Sequence, residues 1–164
     1  MLLMDLNEQA DKDFGLARRK AWIRKLALRL RGKSAGDGTP ASFQELQNAL
    51  RAHNRVCRGN RVVDTARIVG SVGRSKDFDR HFLPLRASAA ERWKRIDIAF
   101  HRGEDLPPVT LYKLDGAYFV LDGNHRVSVA RFHGLQAVEA VVTEFLPLRA
   151  EAPGRVAVPD AEAA

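Results

Sequence analysis

The sequence predicts an α+β fold: a small mixed sheet with helices packed on it, preceded by two further helices. Three observations carry that reading. The run Val109–Leu114 and residues 117–121 flank Asp115-Gly116, a two-residue hairpin turn in which glycine supplies a positive φ. Trp93, Ile96 and Phe100 recur at helical spacing before the hairpin, and Val127, Val129 and Ala130 do so after it. Residues 138–143 then return as a strand. Length and composition agree, because 164 residues with 45% hydrophobic and 29% charged side chains suit one compact domain with an appendage.

Taken in chain order, residues 15–31 form the first helix. Ile23, Leu26, Ala27 and Leu30, with Leu16 two turns earlier, make one apolar stripe, and Arg18, Lys25 and Arg29 fall mostly away from it. Residues 32–41, with three glycines and a proline, read as a linker. Ser42-Phe43-Gln44-Glu45 has capping-box form and starts a second helix, continued by Leu46, Ala49, Leu50 and His53 and stopped at Arg58-Gly59-Asn60. Residues 62–69 are β-branched enough for a strand, and Gly70-Ser71-Val72-Gly73-Arg74 follows as a loop. Ser88-Ala89-Ala90-Glu91 is a second capping box, opening a helix that runs to Gly103. Pro107-Pro108 forces extension into the hairpin, and Gly134 stops the helix that begins near Asn124. On this reading residues 1–58 are a basic helical extension, 59–146 a folded domain and 147–164 a disordered tail.

The formal net charge of +7 is unevenly spread: residues 1–14 carry −3, 15–61 carry +10, 62–149 carry +2 and 150–164 carry −2. Between Gly15 and Lys33 there are eight bases and no acid. Such one-sign charge suits a polyanion, and the acids of residues 1–14 oppose docking on a negative membrane. Arg18, Arg19, Lys20, Arg24, Lys25 and Arg29 are therefore the candidate nucleic-acid contacts, against the plain alternative of a solvated helix face. One cysteine, Cys57, allows no internal disulfide and no thiolate zinc cluster. With no apolar run long enough to cross a bilayer and no signal-peptide pattern, the expected address is cytoplasmic. His53, His81, His101 and His133 show no metal-ligand spacing, so no protein-held metal is expected. Asp77 and Asp79 read as solvated loop acids.

Most of the chemical information lies in Asp122-Gly123-Asn124-His125-Arg126, between a strand and a helix. Gly123 lets the backbone turn sharply, and the first helical turn presents unpaired N–H groups at the positive end of the helix dipole. His125 and Arg126 add side-chain donors there, which makes phosphate the natural guest. The alternative is that Asp122 and Asn124 only cap the helix while His125 and Arg126 face water. Gly73 and Arg74 form a second phosphate-binding candidate, unless that arginine is solvated or paired with Asp77 or Asp79.

The stretch from Pro107 to Val142, including Pro107-Pro108-Val109-Thr110-Leu111, Tyr118-Phe119-Val120-Leu121 before the turn and Ala130-Arg131-Phe132-His133-Gly134 after it, resembles the ParB/sulfiredoxin-like superfamily. ParB N-terminal domains show a hairpin, a Gly-x-(Arg/His)-Arg turn, a helix with a small residue, a glycine stop and a closing strand. Gly123, His125, Arg126, Ala130 and Gly134 match in that order, and the resemblance covers roughly residues 60–145. It implies a bound nucleoside triphosphate, CTP or ATP, held by Gly123, Asn124, His125 and Arg126, with Gly73 and Arg74 beside it. Arg126 would neutralise phosphate charge, and any magnesium would ride on the phosphates.

Individual branches of the superfamily fit unequally. Sulfiredoxins carry a reactive cysteine where Asn124 stands, and Cys57 lies outside the motif, which argues against sulfinic acid reduction. Partition proteins need a helix-turn-helix domain after this one, and the residues following Val142 are too few and too Ala/Pro-rich to form it. Free-serine kinases carry Asp-Gly-His-His-Arg at the turn, which would make Asp122 catalytic, although a second carboxylate has no clear counterpart. The expected function is thus a triphosphate-binding module, regulatory or DNA-associated. A kinase or nucleotide hydrolase using Asp122 is the alternative, followed by a purely nucleic-acid-binding protein. Oligomeric state is left open.

Overall fold

The computed structural model describes residues 2–32, 41–73 and 76–148. Helix α1 spans Leu2–Leu30, β1 Ala41–Ser42, α2 Phe43–Leu50, β2 Asn54–Asp64 and β3 Ile68–Ser71. Helix α3 spans Ala90–His101, β4 Val109–Leu114, β5 Ala117–Asp122, α4 Asn124–Phe132 and β6 Ala137–Leu146. The expected α+β architecture is the observed one. Six strands form a single mixed sheet in the order β1-β3-β5-β4-β6-β2. The β4–β5 and β6–β2 pairs are antiparallel, whereas β4–β6, β3–β5 and β1–β3 are parallel.

Strand alternation sorts the core into two faces. On one, Ile68, Leu111, Val120 and Val142 pack with Val127 of α4 and with Phe82. On the other, Leu114, Phe119 and Phe145 meet Phe43 of α2, whose ring lies 5.1–5.4 Å from Tyr112, Phe119 and Phe145. A third cluster sits outside α4: Trp93 of α3 meets Val129 on one side and Phe14, Ala17 and Ala21 of α1 on the other. The β4–β5 hairpin turns as expected, with φ 50° at Asp115 and 78° at Gly116, the two positive values of a type I′ turn. Ser42 caps α2, accepting from the Glu45 amide at 3.4 Å.

Several local expectations are corrected. Helix α1 begins at Leu2, thirteen residues earlier than residue 15, and its buried positions are Ala10, Asp13, Phe14, Ala17 and Ala21. Leu16, Ile23, Leu26 and Leu30 are exposed instead, because only the alanine-lined face lets the α1 backbone come close to α3. Helix α2 stops at Arg51, which adopts φ 48°, so Arg58-Gly59-Asn60 lies within β2 and Cys57 is an exposed strand residue. The sequence-based division at residue 58 accordingly falls inside a strand that pairs with β6 from Asn54 to Asp64. Residues 62–69 are not one strand, since a 3-10 turn at Thr65–Arg67, capped by the Asp64 carboxylate, separates β2 from β3. Ser88 makes no capping bond, and α3 is entered through a 3-10 turn at Ala87–Ala89. Residues 33–40 of the linker, Arg74 and residues 149–164 of the tail lie outside the described residues. No described helix is long and apolar enough to cross a membrane.

Candidate functional site

Strand β5 delivers the chain to Asp122, and Gly123 then turns it into α4 at φ 103°. A side chain at Gly123 would meet Val109 Cγ1 at 2.7 Å, so both backbone conformation and space require glycine there. Asn124 is buried directly after it, and its Oδ1 has no hydrogen-bond partner among the described residues. His125 stands edge-on to Phe78, ring centroids 5.2 Å apart.

Arg126 is mostly enclosed and committed to protein acceptors. Its Nη1 donates to the carbonyls of Pro107 and Pro108 at 2.6 and 2.9 Å, and its Nη2 to Asp122 Oδ2 at 2.7 Å. The guanidinium thus ties the double-proline segment to the turn. Asp122 itself remains open, with a side chain 76% exposed.

These residues line a cavity of about 450 Å³ together with Gly73, Leu121, Arg92, Arg95 and Ile96. Gly73 and Gly123–Arg126 therefore line one cavity, while Arg74 lies outside the described residues. Arg92 and Arg95 went unnoticed in the sequence. They sit three apart on α3, on the side away from buried Trp93 and Asp97, and a pair of arginines at that spacing was the available signal. Asp122 is the one acid lining the cavity among the described residues.

The candidate nucleic-acid residues divide. Arg18, Arg19, Lys25 and Arg29 are exposed, as are Lys20 and Arg24, but the last two also line a second cavity of about 670 Å³ with Arg80, His81 and Arg131. Arg131 spends its donors on the backbone, reaching the carbonyls of Thr65 and, at 2.7 Å, Ile68. His81 is exposed at the rim of this cavity, and partial desolvation holds its imidazole below the ordinary pKa; Arg24, Arg80 and Arg131 push the same way, and Asp79 opposes them. Asp79 is no solvated loop acid: it is buried and its Oδ1 accepts from the His81 and Leu83 amides at 2.8 and 2.9 Å.

Comparison with known proteins adds little. No protein-family model matches the chain, and no curated protein does. Among solved structures, the crystal structure of sulfiredoxin from Arabidopsis thaliana is similar over 51% of this chain and 82% of that one, with 16% identity and a TM-score of 0.37. A likeness that loose assigns no role to any residue.

Proposed function

We propose that the cavity at the start of α4 binds the phosphates of a nucleotide, CTP or ATP, and that the protein is a nucleotide-responsive module rather than an enzyme. One observation carries this: the open N-terminal turn of α4 and the arginine pair Arg92 and Arg95 face the same cavity from two different helices. The positive end of the α4 dipole and two guanidiniums converging on one space favour a multiply charged anion. The orphaned Oδ1 of Asn124 is a further acceptor for a nucleotide hydroxyl or for water on a phosphate-bound magnesium ion. Arg126, already bonded to Asp122, is best read as the clamp that shapes the turn, while Arg92 and Arg95 supply most of the free positive charge.

Phosphoryl transfer through Asp122 is the weaker reading. Its carboxylate is paired with Arg126, and the described lining holds no second acid to share the work. Nucleic-acid association is proposed as a companion activity of α1, supported by exposed bases that continue onto the body at Arg80. Calorimetry with CTP, ATP, GTP and inorganic phosphate in magnesium buffer tests the central reading. Loss of a charge-assisted bond costs about 1.5–3 kcal/mol, so Arg92→Ala and Arg95→Ala should each weaken binding roughly ten- to hundredfold. No heat at millimolar ligand would end this proposal.

A further inference from the structure

Four side chains distant in sequence converge where α1, α3 and the end of α4 meet. Asp13 comes from α1, Asp97 and His101 from α3, and His133 caps α4. One ligating atom from each lies within 4.8 Å of all the others. His133 Nε2 is 2.6 Å from Asp97 Oδ1, and His101 Nε2 is 3.0 Å from Asp13 Oδ2 and 3.5 Å from Asp97 Oδ2. Asp97 is fully buried, yet its Oδ2 has no hydrogen-bond partner among the described residues.

We propose that Asp13, Asp97, His101 and His133 bind one divalent transition-metal cation, of which zinc is the representative, as a structural staple between α1 and the α3–α4 pair. Two carboxylates are buried here, and among the described residues no lysine or arginine pairs with either. A divalent cation supplies the missing charge, and two imidazoles with two carboxylates are a donor set that suits zinc. Metal–ligand bonds of about 2.0–2.1 Å in a tetrahedron set ligand atoms about 3.3–3.4 Å apart. The three contacts at 2.6, 3.0 and 3.5 Å straddle that value and no ligating atom stands more than 4.8 Å from another, so side-chain rotation without backbone movement closes the shell. The outer supports are in place too. Gln9 Nε2 donates to Asp13 Oδ1 at 2.9 Å, turning the other carboxylate oxygen inward, and the His133 ring stacks on Phe100 at 4.3 Å between centroids. With His101 and His133 still partly exposed, a cation has a way in.

The competing description is a hydrogen-bonded network only, in which protons occupy the place assigned to the metal. Zinc titration of the full chain, stripped with chelator, separates the two. One equivalent should bind, and the thermal midpoint should rise by roughly 5–10 °C at a hundredfold excess over Kd. Long-range nitrogen–proton NMR spectra should show the Nε2 signals of His101 and His133 moving together while His53, His81 and His125 stay put. His101→Gln should lower affinity at least tenfold; if that variant does not fold, Asp13→Asn serves, and the wild-type NMR result stands alone in any case. Zinc that moves other histidines, raises no midpoint, or binds His101→Gln as tightly as wild type would overturn the proposal.

Discussion

Asp122 and Arg126 face each other across the Gly123 turn, carboxylate oxygen to guanidinium nitrogen at 2.7 Å, and the same guanidinium reaches back to Pro107 and Pro108. The pair therefore sets both the electrostatics and the shape of the cavity mouth. Asp122→Asn removes the one negative charge of the described lining while keeping a hydrogen-bond acceptor for Arg126. Phosphate binding measured by calorimetry should tighten, by about two- to fivefold, the scale of an exposed ion pair. Weaker binding, or turnover of ATP lost in the variant, would return Asp122 to a catalytic role.

A buried polar pair ties α3 to α4. Trp93 donates its indole N–H to Ser128 Oγ at 2.9 Å, with both residues fully enclosed. Ser128→Ala leaves that donor unsatisfied, which costs about 1–3 kcal/mol. A drop in the thermal midpoint of roughly 2–10 °C is expected for a chain of this size. An unchanged midpoint would mean that water replaces the hydroxyl.

His81 should make the fold acid-sensitive. His81 is exposed, so the effect is small: partial desolvation first and Arg24 next hold its pKa down in the folded state, and the unfolded chain takes up its proton first as pH falls. The contribution is complete above about pH 6.5 and is lost progressively below it as pH approaches the folded-state value. Melting curves of His81→Gln between pH 5 and 8 should slope less than wild type. Parallel curves would remove His81 from the account.

The bases of α1 predict a salt signature. Four or five phosphate contacts give log K against log salt a slope of roughly −4 on duplex DNA. Deleting the helix is a poor test, because Phe14, Ala17 and Ala21 are part of the Trp93 core. Replacing the exposed Arg18, Arg19, Lys25 and Arg29 by glutamine leaves that core intact. The slope in gel-shift titrations should become clearly shallower, the remainder resting on Lys20, Arg24 and Arg80; an unchanged slope would place the contact elsewhere on the protein.

How much of this could be read in advance depended on side-chain size and chain distance. The β4–β5 hairpin, the Gly123 turn, Gly134 and buried Trp93 were legible because turn chemistry and helical spacing are local signals. The packing face of α1 was not. Its large apolar residues Leu16, Ile23 and Leu26 point outward, while small Ala17 and Ala21 permit close helix contact and carry little weight in a periodicity search. Strand β2 hid for a related reason, since Arg55, Arg58 and Arg61 give it the look of a polar linker, and most of it is exposed at the sheet edge. Of the candidate site, the motif residues were visible, but Arg92 and Arg95 reach it only through the packing of α3. Of the Asp13, Asp97, His101 and His133 cluster only Asp97 and His101, four apart on α3, share a sequence spacing, and the other two arrive from separate elements through the packing.

The outward turn of α1 beyond Ala21 has an optical consequence. Trp22 is 63% exposed on that turn, whereas Trp93 is fully enclosed between α1 and α4. The chain's two tryptophans therefore emit from opposite environments: iodide should quench the red-shifted light of Trp22 and spare the blue-shifted light of Trp93. Each fluorophore then reports one event separately, contact along the basic helix for the first and loosening of the interior for the second.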